Sequence, residues 1–240
     1  VSVERTLWSW GSNNEGQLGQ GDKINRSSPT QVGEEENWSR IVQSGTYRNV
    51  NVSTNDGKAW VWGSGDKGAL GISSSIDYSS PVQLGALTDW PTTIDLVSTS
   101  TACEGSFIVK PDNTLWTWGD AEHGRLGHGV GEPSWWLYQL SSPVQLGSAQ
   151  WASVASFRNN SLAVRTDGTA WAWGRNDRGQ LGQGNTINTS SPVQIGSLTN
   201  WASVATGANE GSAFAIKTDG TLWSWGFNGM GDLGHGNTTN

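Results

Sequence analysis

The sequence predicts an all-β chain built as a β-propeller of four-stranded antiparallel blades, and three observations carry that prediction. Trp-x-Trp-Gly is written five times, starting at Trp8, Trp60, Trp116, Trp171 and Trp223, at intervals of 52, 56, 55 and 52 residues. Alternating apolar segments and tight-turn signals precede the later copies. No segment carries the periodicity of an amphipathic helix. A unit this long, repeated this often, fits a propeller blade better than a solenoid coil, whose repeat is usually shorter. Ten of the sixteen tryptophans belong to the motifs, which assigns most of the aromatic content to the recurring unit and not to a ligand pocket.

The last complete period shows the elements in order. Trp171–Gly174 reads as a strand with both tryptophans on one face, because side chains alternate along a strand. Arg175–Gly184 is a glycine-rich loop. Ser190-Ser-Pro-Val-Gln follows, and proline at the start of a strand suits an outer or edge position. Trp201–Val204 reads as a further strand. Phe214, Ile216 and Thr218 alternate with the period of 2 expected of another, and Asp219-Gly220 is a turn signal, since primed hairpin turns need positive φ. Thr221–Trp225 returns as the next strand. Asp56-Gly57 and Asp167-Gly168 repeat the turn, and Pro111-Asp-Asn113 is a variant of it.

Composition narrows the classes of function. The uniform repeat reads as one array over residues 1–240, long enough for a substantial core. A net charge of −7 with only 14 Lys and Arg argues against a nucleic-acid backbone, which needs clustered cations. No apolar run approaches the roughly 18 to 20 residues of a membrane span, so no membrane insertion is expected. No signal peptide is visible, and the chain opens at Val1 without Met, which reads as a processed or cut terminus. The single cysteine, Cys103, excludes an internal disulfide or a cysteine-based metal site and reads as a small buried hydrophobe.

Three strings together resemble a known repeat: Leu-Trp-Ser-Trp-Gly-x-Asn-x-x-Gly-Gln-Leu-Gly-x-Gly, Ser-Ser-Pro-Val-Gln, and Thr-Asp-Gly-Thr-Leu-Trp. The chain is similar to the regulator of chromosome condensation family over essentially its whole length. Its richness in Trp, Asn, Ser and Thr is similar to bacterial and phage-encoded versions. The resemblance implies a seven-bladed parent, of which this chain would hold about four and a half blades. It begins inside one unit and stops inside another, so the expectation is a piece of a longer chain, or an open arc completed by further blades or other subunits. An open arc leaves a bare strand edge, which favours the piece. The family often carries His-Ser or His-Thr ahead of the second strand. Here the stretches Thr46–Asn49, Ala102–Gly105, Phe157–Asn160 and Ala208–Gly211 lack that histidine. The founding member is a nucleotide-exchange factor that docks on nucleosomes. Neither its exchange wedge nor its basic tail is identifiable, so the fold is expected and the exchange activity is not.

The five copies differ at a few positions, and these are the candidate sites. His128 and His235 share a slot with Gln20, Ile72 and Gln183, which gives them a structural reading. His123 shares a slot with Glu15, Lys67, Arg178 and Met230, and a second slot of the same loop holds Ser12, Ser64, Asp120, Arg175 and Phe227. Both slots change charge and size in every copy. They read either as an unconstrained solvated loop or as a recognition surface on a rigid scaffold. The third copy carries six extra residues between Gly129 and Pro143, bringing Trp135, Trp136, Leu137 and Tyr138. These aromatics exceed what the repeat requires and are candidate interface anchors, unless they tuck against a neighbouring blade. The second copy has a smaller insertion around Pro91–Ile94. No histidine or carboxylate set has metal-ligand spacing, no Ser–His pair stands out, and Gly16–Gly21 lacks the Lys-Ser/Thr ending of a phosphate loop. No catalytic residue, metal or cofactor is therefore expected.

The expected function is a non-catalytic binding or structural propeller of a secreted, cell-surface or virion protein that recognises protein or glycan. The alternative is a regulator of a GTPase or another enzyme, an exchange factor or inhibitor-like propeller. A hydrolase or lyase ranks third, because the acidic residues are scattered and Glu34-Glu-Glu36 reads as a solvated run.

Overall fold

The computed structural model describes residues 5–35, 37–44, 48–92, 99–102, 105–129, 138–207 and 211–239. Cys103, Trp135 and Trp136, the remainder of the six-residue insertion up to Leu137, and Thr93–Ile94 lie outside the described residues.

The strands form consecutive antiparallel meanders. Blade 1 is the pair β1 (Trp8–Gly11) and β2 (Arg26–Gln31). Blade 2 is β3 (Trp38–Ser44), β4 (Asn49–Thr54), β5 (Ala59–Gly63) and β6 (Tyr78–Gln83). Blade 3 is β7 (Thr99–Ala102), β8 (Gly105–Val109), β9 (Leu115–Asp120) and β10 (Gln139–Gln145). Blade 4 is β11 (Trp151–Phe157), β12 (Asn160–Arg165), β13 (Ala170–Gly174) and β14 (Thr189–Gln194). Blade 5 is β15 (Trp201–Thr206), β16 (Ser212–Lys217) and β17 (Leu222–Gly226). The only helical turns among the described residues are the short 3-10 segments Asp66–Gly68 and Glu122–Gly124.

Trp-x-Trp is always the third strand of its blade, or its equivalent in blade 1, and the proline strand is always last. The proline strands β2, β6, β10 and β14 pair on one side only, so proline costs no ladder bond there. The first strands β3, β7, β11 and β15 contact one another in succession and therefore face the propeller axis. The glycine that closes each motif is demanded by packing. Gly63 and Gly174 have φ of 97° and 99°, and a Cβ would stand 2.1 and 2.3 Å from the carbonyl oxygens of Arg48 and Asn159.

The core lies between blades. Ala170 and Ala172 face Trp201, Ala213 and Ala215 of blade 5, while Trp173 on the other face joins Phe107, Leu126 and Leu146 of blade 3. Both faces of a blade are thus buried, which explains the near-continuous burial of β4, β8 and β12. Equivalent clusters join blade 2 to blade 3 and blade 1 to blade 2.

The two tryptophans of a motif are buried unequally. Only the second ring of each internal pair is fully buried: Trp62, Trp118 and Trp173. Its indole N–H donates to a loop carbonyl of the preceding blade: Trp62 to Gln17 (3.0 Å), Trp118 to Ala69 (3.0 Å), Trp173 to Arg125 (2.7 Å) and Trp225 to Gln180 (3.0 Å). The first ring is half-buried in Trp60, Trp116 and Trp171, and exposed in Trp223. It packs edge-on against the tryptophan that opens the blade, as Trp171 does on Trp151 at 6.4 Å. Trp8 and Trp10 are exposed because no preceding blade covers them among the described residues.

Candidate interaction surface

The loop between the third and fourth strands of each blade is clamped from within. In three copies a buried asparagine holds it: Asn13, Asn176 and Asn228. Asn176 Oδ1 accepts the Leu181 N–H at 2.9 Å, and its Nδ2 donates to the Asn185 and Ile187 carbonyls at 3.0 and 3.1 Å. Asn13 and Asn228 repeat this pattern. Blades 2 and 3 replace it with Gly65 and Ala121, whose N–H groups donate to Asp77 Oδ1 and the Tyr138 carbonyl. The loops of blades 1, 2 and 3 also reach the outer strand of the next blade: Gly21 N–H donates to Ser79 O, Ser73 N–H to Ser141 O, and Gly129 N–H to Ser190 O.

The clamped loops hold large apolar side chains in solvent. Ile24, Ile76, Tyr138 and Ile187 are 64, 64, 47 and 69% exposed. Each stands five residues before the proline of its outer strand, so one repeat position presents an apolar group on four successive blades. Tyr138, expected as part of the aromatic insertion, instead holds this ordinary repeat position, so it is not one of the extra residues.

The two variable slots are neither unconstrained nor an open recognition surface throughout, because they clasp one blade to the next. Lys67 Nζ meets the buried Asp120 Oδ2 of blade 3 at 2.9 Å. Arg178 stacks its guanidinium 5.3 Å from the Phe227 ring of blade 5. Glu15 Oε1 pairs with Arg48 Nη1 of blade 2 at 2.5 Å. His123 is largely buried, which lowers its pKa, and it feels Glu122 on its own loop and Arg175 and Asp177 of blade 4. Met230 is 80% exposed. The sequence signal for this clasp was present, since the slots vary together: lysine faces aspartate, and arginine faces phenylalanine.

His128 Nε2 lies 2.8 Å from Thr117 Oγ1, and His235 Nε2 lies 2.9 Å from Ser224 Oγ. Gln20 serves Ser9 in the same way, so this slot braces the hydroxyl between the two motif tryptophans. Burial lowers the pKa of His128. Among the described residues no cluster of three or more His, Cys, Asp or Glu is placed to hold a metal ion.

Sequence reasoning missed two features. Arg125 is buried between Asp120 Oδ2 (3.1 Å) and Glu122 Oε2 (3.0 Å), and its own carbonyl accepts the Trp173 indole N–H. Lys110, Arg165 and Lys217 share the end of the second strand and lie over paired tryptophans, as Arg165 does over Trp171 at 3.6 Å and Trp151 at 5.0 Å. The recurrence of a cation one or two residues before the turn was the available signal.

Comparison with known proteins agrees with this architecture. The family model "Regulator of chromosome condensation (RCC1) repeat" matches residues 6–46, 56–100 and 167–211, and a second model of the same description matches 152–180. The chain is 28% identical to the ultraviolet-B receptor UVR8 of Arabidopsis thaliana, over 98% of this chain and 52% of that protein. It is also 28% identical to the probable E3 ubiquitin-protein ligase HERC6 of Homo sapiens, over 96% of this chain and 22% of that protein. The chain thus spans about half or less of these relatives. Among solved structures, human WBSCR16 superposes with a TM-score of 0.75 at 23% identity, covering 100% of this chain and 61% of that one. Yeast RCC1 (Prp20), solved bound to Kap60, gives a TM-score of 0.68 at 20% identity, covering 98% and 55%. No helix among the described residues is long and apolar enough to cross a membrane.

Proposed function

Because the chain belongs to the regulator of chromosome condensation repeat family, we propose that it is a non-catalytic propeller module that binds a protein partner across its rim loops. The observation that carries this reading is the row Ile24, Ile76, Tyr138 and Ile187, apolar and exposed on loops held by internal hydrogen bonds. Preorganised loops lose little freedom on binding, which favours affinity. A peptide-display selection run beside a glycan array tests it. Peptides held by the wild type and lost by the combined variant Ile24→Ser, Ile76→Ser, Tyr138→Ser, Ile187→Ser support the reading. Binding of glycans without peptides overturns it.

The two ends of the array supply a second part of the proposal. A Cβ on Gly19, Gly71, Gly127 or Gly182 would stand 2.8 to 3.0 Å from the tryptophan of the next blade, whereas Gly234 has nothing within 4 Å. Trp10 is a ring without a socket, and the Gly231–Gly234 loop is a socket without a ring. We assign both to contacts with further blades of this type, supplied by the same protein or by other subunits. The regulator reading, as exchange factor or inhibitor, is separated by assay: accelerated nucleotide release from a GTPase would replace simple binding. For setting we propose the extracellular or virion surface, supported by the single cysteine and the scarcity of charge. Antibody labelling of intact cells or particles checks it.

A further inference from the structure

Between blades 3 and 4, on the side of the Asp-Gly turns, lies a groove of about 600 Å³ lined by His128, Leu146, Ser148, Ala149, Arg165 and Pro192, among others. Its one strongly basic group is Arg165. We propose that this groove binds the carboxylate of a glutamate or aspartate side chain on a peptide, with the Arg165 guanidinium as its partner. The proposal rests on the protein-binding reading above and gives it a second, chemically defined contact point.

The repeat supplies its own control. Lys110 occupies the Arg165 position in blade 3, and its ammonium is neutralised at 2.5 Å by Asp89, the residue before Trp90. The matching residue before Trp151 is Gln150. Among the described residues Arg165 has no ion pair or side-chain hydrogen bond, and its Nε is buried without a partner. The groove therefore keeps a cation with no directly paired carboxylate among the described residues, in a chain of net charge −7. Asp167 is close enough to favour the charged guanidinium, but its Oδ1 is taken by the Thr169 N–H and hydroxyl.

The geometry favours a carboxylate over other anions and a peptide over a sugar. Stacking on Trp171 and Trp151 fixes the plane of the guanidinium, so its fork is oriented before a ligand arrives. A single planar fork matches one carboxylate, whereas phosphate sites commonly gather several cations or backbone N–H groups. Leu146, Ala149 and Pro192 line the groove with apolar groups suited to a methylene stem, and the exposed Ser148 and Ser191 offer hydroxyls. A pyranose would need a bare aromatic face. Trp151 is only 1% exposed, and Arg165 already covers Trp171.

The test is a titration of the full 240-residue chain, followed by the Arg165 Nε–H and Trp171 indole N–H resonances. The probes are acetyl-Gly-Glu-Gly-amide, its Gln counterpart, glucuronate and inorganic phosphate. The expected result is saturable shifts with the Glu peptide and at least about tenfold weaker effects with the Gln peptide, the scale of one lost charge-assisted pair. Two variants carry the argument. Arg165→Gln removes the cation, and Gln150→Asp installs the carboxylate that Asp89 provides in blade 3. Gln150→Asp should abolish the titration while leaving the melting temperature unchanged or raised. Equal binding of the Glu and Gln peptides, undiminished binding by Gln150→Asp, or stronger binding of glucuronate or phosphate would each overturn the proposal. Failure here with the rim-dependent peptides still bound rejects this groove alone. Loss of both rejects the protein-binding reading.

Discussion

Replacing Trp173 with alanine should be the most damaging single change available in blade 4, and the same change at Trp10 should be nearly silent. Trp173 is fully buried, lies edge-on to Trp151 at 5.8 Å, and donates its indole N–H to the Arg125 carbonyl at 2.7 Å. Truncating a buried tryptophan costs about 3 to 5 kcal/mol, of which the edge-to-face pair contributes about 0.5 to 1.5. The Arg125 carbonyl keeps the Ser161 hydroxyl as a donor at 2.9 Å, so no acceptor is orphaned and the cost should stay within that range. For a chain of this size the melting temperature should fall by roughly 10 °C. Trp10 makes the same motif but is 60% exposed, and its loss should stay within about 0.5 kcal/mol. Urea unfolding followed by circular dichroism reads both. Losses of similar size at the two sites would refute the claim that the preceding blade, and not the motif itself, makes these tryptophans core.

The socket can be probed from its other side: Gly127→Ala adds a Cβ 3.0 Å from Trp173 Nε1, whereas Gly234→Ala meets nothing within 4 Å at a similar φ. Both pay for positive φ, but Gly127→Ala should cost roughly 1 to 3 kcal/mol more in urea unfolding. Asn176→Ala leaves the buried Leu181 N–H without its acceptor and should destabilise by about 2 to 4 kcal/mol, with faster proteolysis inside residues 175–188. His128 has its folded pKa lowered by burial, so the unfolded chain takes up its proton first as pH falls. Stability therefore drops as pH goes below the ordinary histidine value toward the folded one. His128→Gln, the residue found at Gln20 and Gln183, should keep the fold and flatten that part of the pH profile, read from melting temperatures between pH 7 and pH 5.

The blade was legible because its signals are local. Asp-Gly turns, the period of 2 and the proline strand follow from backbone rules and lie where expected, but the turns are three-residue hairpins in which only the glycine has positive φ, not the primed two-residue turns expected. What was not legible depends on the register between blades. Trp171 and Trp173 look alike in sequence, yet only Trp173 reaches the loop carbonyl of blade 3. Lys67 looked like a freely varying surface residue until Asp120, 53 positions away, was placed against it. The recurring asparagine at 13, 176 and 228 was visible as a motif letter, but its role as a clamp emerged only when the carbonyls around it were placed. Arg165 drew no attention because its meaning lies in the residue that is not Asp at position 150.

Amide hydrogen exchange of the chain, free and bound to a peptide selected for rim-dependent binding, tests the account's central claim most directly. Protection on binding should concentrate in the loops at 22–25, 74–77 and 185–188 and around Tyr138, with the inner strands β11 and β15 unchanged. Protection confined to the axial strands, or to the Asp-Gly turns with the rim loops exchanging as in the free chain, would contradict it.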